Sequence, residues 1–258
     1  MSTTLSIIPY GTPTFVDSYM SLDTGPSAWL IDRVIPRGGV ALLYGAPKTG
    51  KSMIAMELAL AITQGQSSFM GFAIPKPGKV LYLQLDTPRS LWQERLRLWE
   101  QSGIDLTPHA SLAIEDRESA PPMFNVRHAP HAQWLAQAVA TVNPDLVIVD
   151  VWRECFRGDE NDSDVSQHAL SSLLHATSPA ATLILAHGKK PPADPSHSYG
   201  IMDEIRGSSH LPGAVDTVLR LRCREGDELG WMALQGRALE FTQFPLKRNS
   251  TGLWYPAG

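Results

Sequence analysis

Apolar positions along this chain come in two rhythms. Short solid runs occur at Val40–Tyr44, within Lys79–Leu85, at Leu146–Val149, at Thr182–Ala186 and, with charges interspersed, at Val215–Leu221. Such runs are too short for core helices and read as strands buried on both faces. Between them, apolar residues return every three or four positions over Met53–Thr63, Ser90–Gln101, His131–Thr141 and about Asp164–His175, which predicts helices. Gly65 stops the first of these, and Asn143-Pro144 stops the third. Asp86 or Thr87 is expected to cap the second, with Pro88 in its first turn. Strands alternating with helices up to about residue 190 imply an α/β fold, a mostly parallel sheet covered on both faces. Beyond that, Trp231–Leu234, Glu240–Leu246 and Gly252–Tyr255 read as strands with no helix between them. They predict an antiparallel C-terminal extension at one sheet edge.

Four stretches break the rhythm. Residues 1–27 are rich in Ser, Thr, Pro and Gly and are expected to form a partly ordered N-terminal arm, leaving 28–258 as the main domain. Ala28–Ile35 is a short apolar segment that ends at the turn Pro36–Gly39. Residues 102–130 look irregular apart from a short strand at Ala110–Ile114. Residues 188–213 form a Pro/Gly/Ser/basic stretch, and an unstructured loop of that length is usually functional or disordered.

Composition narrows the class. A hydrophobic content of 43% with 19% charged residues fits a globular chain. No apolar run is long enough to span a bilayer, and Met1–Thr4 lacks the basic start of a secretion signal. The two cysteines, Cys155 and Cys223, form neither a zinc set nor a disulfide framework. The expectation is a cytoplasmic protein. A net charge of −4 argues against a surface that coats nucleic acid everywhere, but leaves room for a local basic loop.

The chemistry centres on Gly45-Ala46-Pro47-Lys48-Thr49-Gly50-Lys51-Ser52, which lies between a predicted strand and a predicted helix. This is the G-x-x-x-x-G-K-[ST] phosphate loop in its required context. Glycines let the backbone curl so that successive N–H groups face phosphate oxygens, and the helix adds its positive end. Lys51 is expected between the β- and γ-phosphates of ATP, and Ser52 on Mg²⁺. Other predicted strands also end in polar groups, at Asp86, Asp150 and His187, where α/β sheets collect their chemistry. Asp150, closing an apolar strand, is the expected second holder of Mg²⁺; the plainer reading is a helix cap. Asp86 could orient the attacking water or merely cap the next helix. His187 could sense the γ-phosphate or be an ordinary core histidine. The pair His128 and His131 invites a metal reading, but no cysteine or carboxylate nearby completes a ligand set.

Taken together, Gly45–Ser52, the strand ending at Asp86 with Thr-Pro-Arg after it, Asp150, and Ala186-His187-Gly188-Lys189-Lys190 resemble the RecA-type P-loop ATPases, in particular their RepA-like and DnaB-like hexameric helicase branch. Arg206-Gly207-Ser208-Ser209, Gly213–Leu219 and Gly236-Arg237 extend the resemblance over about residues 28–255. It implies a RecA-like core assembling as a homo-oligomeric ring or filament, with ATP at subunit interfaces. Lys51, Ser52 and Asp150 would carry nucleotide and Mg²⁺, and Asp86 would fall where the family has a catalytic glutamate. Arg206 would reach a neighbour's γ-phosphate, with Arg237 as the alternative. Two departures stand out: aspartate at 86 is one methylene short, and Ala186-His187 replaces a histidine pair.

The loop after Asp150 is acidic (Asp159, Glu160, Asp162), whereas the one after His187 holds Lys189, Lys190, His197, Tyr199 and Arg206. In a ring, several copies of the second could grip single-stranded DNA. The leading expectation is therefore an Mg²⁺-dependent ATPase acting on single-stranded DNA in replication or recombination. The alternative is a nucleotide-gated scaffold that controls assembly with a protein partner. A small-molecule kinase is weaker still, since no arginine-rich lid segment is visible.

Overall fold

Each change of hydrophobic period becomes a change of element. The computed structural model describes residues 15–21, 28–106, 111–189, 200–206, 210–223 and 226–257. In chain order the elements are α1 (Val16–Met20), β1 (Trp29–Ile31), β2 (Ile35–Pro36), β3 (Val40–Gly45), α2 (Lys51–Thr63), β4 (Ser68–Phe69), β5 (Phe72–Ala73), β6 (Val80–Gln84), α3 (Arg89–Gln101) and β7 (Leu112–Asp116). Then follow α4 (Ala129–Val142), β8 (Leu146–Asp150), a 3₁₀ turn at Trp152–Cys155, α5 (Ser163–Thr177), β9 (Ala181–His187), α6 (His210–Ala214), β10 (Thr217–Cys223), β11 (Leu229–Gly236), β12 (Leu239–Arg248) and β13 (Trp254–Pro256). Most of the expected arm, together with Lys190, His197 and Tyr199, lies outside the described residues.

Nine strands form one sheet in the order β13-β12-β11-β10-β3-β9-β8-β6-β7. From β10 to β7 all neighbours are parallel, and β10 through β13 are antiparallel. That is the predicted mostly parallel sheet with an antiparallel C-terminal extension. The expected strand at Ala110–Ile114 starts two residues later and forms the outer parallel strand β7.

Alternation within the buried strands sends side chains to two cores. Ala41, Leu43, Tyr82, Leu146 and Ile148 face α2 and α3, with Trp92 and Trp99 packed there. Leu42, Tyr44, Leu81, Val147 and Val149 face α4 and α5. Each fully buried Leu, Ile or Phe side chain contributes about 1.5–3 kcal/mol. Helix α2 is apolar on all sides, as expected of a helix buried against both the sheet and its neighbours.

Helix ends follow local chemistry. Asp162 caps α5, its carboxylate accepting from Asp164 N (2.9 Å) and Val165 N (3.2 Å). Asn143 ends α4 in the left-handed conformation, with φ of 49°. For α3 the expected cap by Asp86 or Thr87 is not made: the helix starts after Pro88, and Arg89 N donates to the Glu118 carboxylate at 3.1 Å. The Arg89 guanidinium also grips Asp116 with two hydrogen bonds, of 2.5 and 2.7 Å, holding that carboxyl down at about 2. A long-range acid pair has replaced the local cap.

The C-terminal extension reaches back over the start of α2. Trp254, 3% exposed, lies against Gly50, where any Cβ would come within 2.6 Å of its Nε1. Its backbone N–H donates to Glu57 on α2 at 3.0 Å, and Arg248 lies 5.3 Å from its ring centroid. Trp254→Ala is expected to cost about 3–5 kcal/mol, from the cavity and lost contacts. Urea unfolding should show a midpoint lowered accordingly; an unchanged midpoint would mean that the extension does not brace the loop.

Candidate functional site

The carboxyl ends of β3, β6, β8 and β9 converge, and Gly45, Asp86, Asp150 and His187 arrive there together. Strand register sets this: Gly45 pairs with His187 on one side and with Leu221 on the other, and Asp150 lies beside Gln84. Gly45 is required by close approach, since a Cβ there would sit 2.4 Å from Leu221 O. After it the chain makes a tight curl, with Lys48 at φ 62° and Gly50 at φ 93°. Left-handed backbone is easy for Gly50 and strained for Lys48. Thr49 Oγ1 donates to Ala46 O at 2.9 Å and closes the curl.

Lys51 is 6% exposed, and its ammonium donates to Gly45 O (3.1 Å) and Ala46 O (2.9 Å). Burial lowers its pKa to about 8, opposed by the carboxylates of Asp150 and Asp86. Asp150 is buried; it accepts from the Tyr82 hydroxyl at 2.8 Å, and the Ser52 hydroxyl lies within hydrogen-bonding reach. Burial raises the Asp150 pKa, while those two hydroxyls act against the rise. Tyr82 O–H also lies 3.3 Å from Ser52 O, but one proton serves one acceptor and the carboxylate is nearer. The structure thus brings Lys51, Ser52 and Asp150 to one spot.

Asp86 is exposed at the tip of the turn after β6. Below it the buried Gln84 amide, oriented to satisfy both its atoms, donates to Thr87 O and accepts from Thr87 N, both at 2.7 Å. His187 is half-buried, with Nδ1 shielded and lacking a hydrogen-bond partner. Burial lowers its pKa, and nearby Lys51 and Arg206 lower it further, so at neutral pH the imidazole is uncharged. Arg206 stands beside it: its N–H donates to His187 O at 3.1 Å, and its Nε lies 2.5 Å from Glu160. Arg237 is elsewhere, pairing with Asp216 at the start of β10, the opposite end of the parallel sheet. His128 and His131 sit edge to face away from these groups, with Asn125 N donating to His131 Nδ1 at 3.1 Å.

Sequence reasoning missed Tyr82, Gln84, Glu160 and Trp254. A signal existed for Tyr82 alone: a phenol inside an otherwise apolar run must find a partner for its hydroxyl. Gln84 acts on Thr87 three residues on, but through a buried amide that the apolar run around it does not announce, and Glu160 and Trp254 act across long sequence separations.

The depressed Lys51 pKa has a consequence with a definite sign. Between about 8 and the ordinary 10.5 the folded chain binds this proton less readily than the unfolded chain does. Lys51 therefore makes the fold more stable as pH rises through that window, while anion binding, which needs the ammonium, weakens. At pH 9, nucleotide binding should take up close to one proton. Calorimetry in two buffers of different ionisation enthalpy would detect this; equal heats in both would contradict it.

A family model described as "AAA domain" matches residues 11–193, well over half the chain. No curated protein matches the sequence. Among solved structures, the RadB recombinase superposes with a TM-score of 0.59 at 18% identity, over 87% of this chain and 93% of that one. A KaiC-like protein from the hyperthermophilic archaeon Pyrococcus horikoshii OT3 gives a TM-score of 0.54 at 15% identity, over 89% and 94%. At these identities the likeness concerns the fold, and it matches the RecA-like architecture implied by the sequence. The chain belongs to the AAA-domain family, and its fold is that of the RecA-like P-loop ATPases.

Proposed function

We propose that this protein is an Mg²⁺-dependent ATPase that assembles as a ring or filament and works on single-stranded DNA in replication or recombination. The observation that carries the nucleotide part is the meeting of Lys51, Ser52 and Asp150 beneath a loop of inward-curled backbone. The donor set fits a magnesium nucleotide. Among the described residues no three His, Cys, Asp or Glu gather to hold a metal unaided, so a cation here would draw on phosphate oxygens as well. Ser52 and Asp150 would hold Mg²⁺, which when bound neutralises developing charge on the phosphates. Lys51 would leave the Gly45 and Ala46 carbonyls for phosphate oxygens. Asp86, exposed at the turn after β6, would orient a water and accept its proton. The uncharged His187 can accept or donate one hydrogen bond at Nδ1, depending on its tautomer.

Arg206 has two available roles. Its ion pair with Glu160 would be exchanged for a phosphate of a neighbouring subunit, which stabilises transferring charge by on the order of 10³-fold or more in rate. Alternatively the pair holds the segment after His187 in place. That second role suits the other functional reading, a nucleotide-gated scaffold for a protein partner with slow turnover. The short, exposed Asp86 favours it as well. The expected setting in either case is the cytoplasm; no helix among the described residues is long and apolar enough to cross a membrane.

Hydrolysis measured with and without a dT oligonucleotide separates the readings. Stimulation by the oligonucleotide supports the motor, and indifference supports the scaffold. Lys51→Ala should abolish hydrolysis. Arg206→Ala should leave nucleotide affinity intact and reduce turnover by about 10³-fold; a wild-type rate would remove Arg206 from the catalytic set.

A further inference from the structure

Among the described residues, the outer part of the antiparallel extension carries an exposed face, beyond the point where Ala233 packs with Leu211 of α6. Register places Arg222 of β10 beside Trp231 of β11, and Trp231 beside Pro245 of β12. One step along, Leu229, Lys247 and Tyr255 line up across β11, β12 and β13. Phe241 lies further down β12, next in alternation to Thr242, which pairs with the inward-facing Leu234. All these side chains project away from Met232, Leu234 and Leu246, which fill the core on the other side of the sheet. Trp231 is 48% exposed, Phe241 55% and Tyr255 42%. Three large rings left in water on one flat sheet face is unusual for a surface without a ligand.

Charge indicates what the ligand is. Glu204 is shared by Arg220 and Arg222, so one carboxylate answers two guanidiniums. Lys247 adds a third cation to the same face. Rings spaced along a sheet with cations between them match bases that stack and phosphates that need neutralising. We propose that this face is a stacking platform for single-stranded nucleic acid. Bases lie on Trp231, Phe241 and Tyr255, and the backbone runs past Arg222 and Lys247. The proposal rests on the nucleic-acid part of the function above, and it adds a surface distinct from the loop that follows His187. The extension would then both brace the phosphate loop through Trp254 and carry the strand on its opposite face.

The test uses the full chain and a fluorescein-labelled dT oligonucleotide of about 20 nucleotides, read by anisotropy over a salt series. Trp231→Ala and Tyr255→Ala should each weaken binding about ten-fold, and Trp231→Phe should restore most of the loss. Lys247→Ala should lower the salt slope by about one. Hydrolysis without oligonucleotide should be unchanged in all of them, which also confirms folding. If wild type binds and the variants bind equally well, the platform is wrong while the nucleic-acid reading survives. Failure of wild type to bind removes both. A drop in particle mass for Trp231→Ala by sedimentation, with oligonucleotide affinity unchanged, would reassign the face to contact between copies of the chain.

Discussion

A buried ammonium at the start of α2 and a buried carboxylate at the end of β8 are the constraint on which the site depends. Neither Lys51 nor Asp150 is comfortable under the surface, since burial depresses the one pKa and raises the other. They are tolerated because each has hydrogen-bond partners: loop carbonyls for Lys51, the Tyr82 and Ser52 hydroxyls for Asp150. The arrangement sets a buried cation beside a buried carboxylate, a pairing suited to an anion on the lysine side and a cation on the carboxylate side. Strand order makes it possible: β9 lies between β3 and β8, so the acid faces the loop from one strand away.

The scaffold around that pocket is rigid where the chemistry needs position. Fully buried parallel strands fix Gly45, Asp150 and His187, and Gln84 fixes the turn that presents Asp86. Arg206, by contrast, is tied to the site by one backbone hydrogen bond and an ion pair in which the guanidinium is exposed and the Glu160 carboxylate largely covered.

Much of this was legible in the sequence because it is local. Solid apolar runs gave the buried strands, and the phosphate loop announced itself through glycine spacing, the lysine and the serine within eight positions. What was hidden depends on contacts between distant residues. Nothing near Pro88 shows that Glu118 accepts from the first N–H of α3 while Asp116 grips the Arg89 side chain. Nothing near Gly50 shows that Trp254 closes over it, because that contact spans the chain. The open aromatic face was also invisible, since Trp231, Phe241 and Tyr255 share a surface only once the register of three strands is known. Arg237 stood in the sequence as the alternative to Arg206, and the sheet separates the two to opposite ends.

The central claim is that Ser52 and Asp150 share one cation with a nucleotide held by Lys51. Electron paramagnetic resonance of Mn²⁺ in place of Mg²⁺, with ADP, tests it most directly. Wild type should give a bound-manganese spectrum that appears only when nucleotide is present. Asp150→Asn should lose that spectrum while still binding ADP in the absence of metal. A bound-manganese signal equally strong in Asp150→Asn would contradict the account.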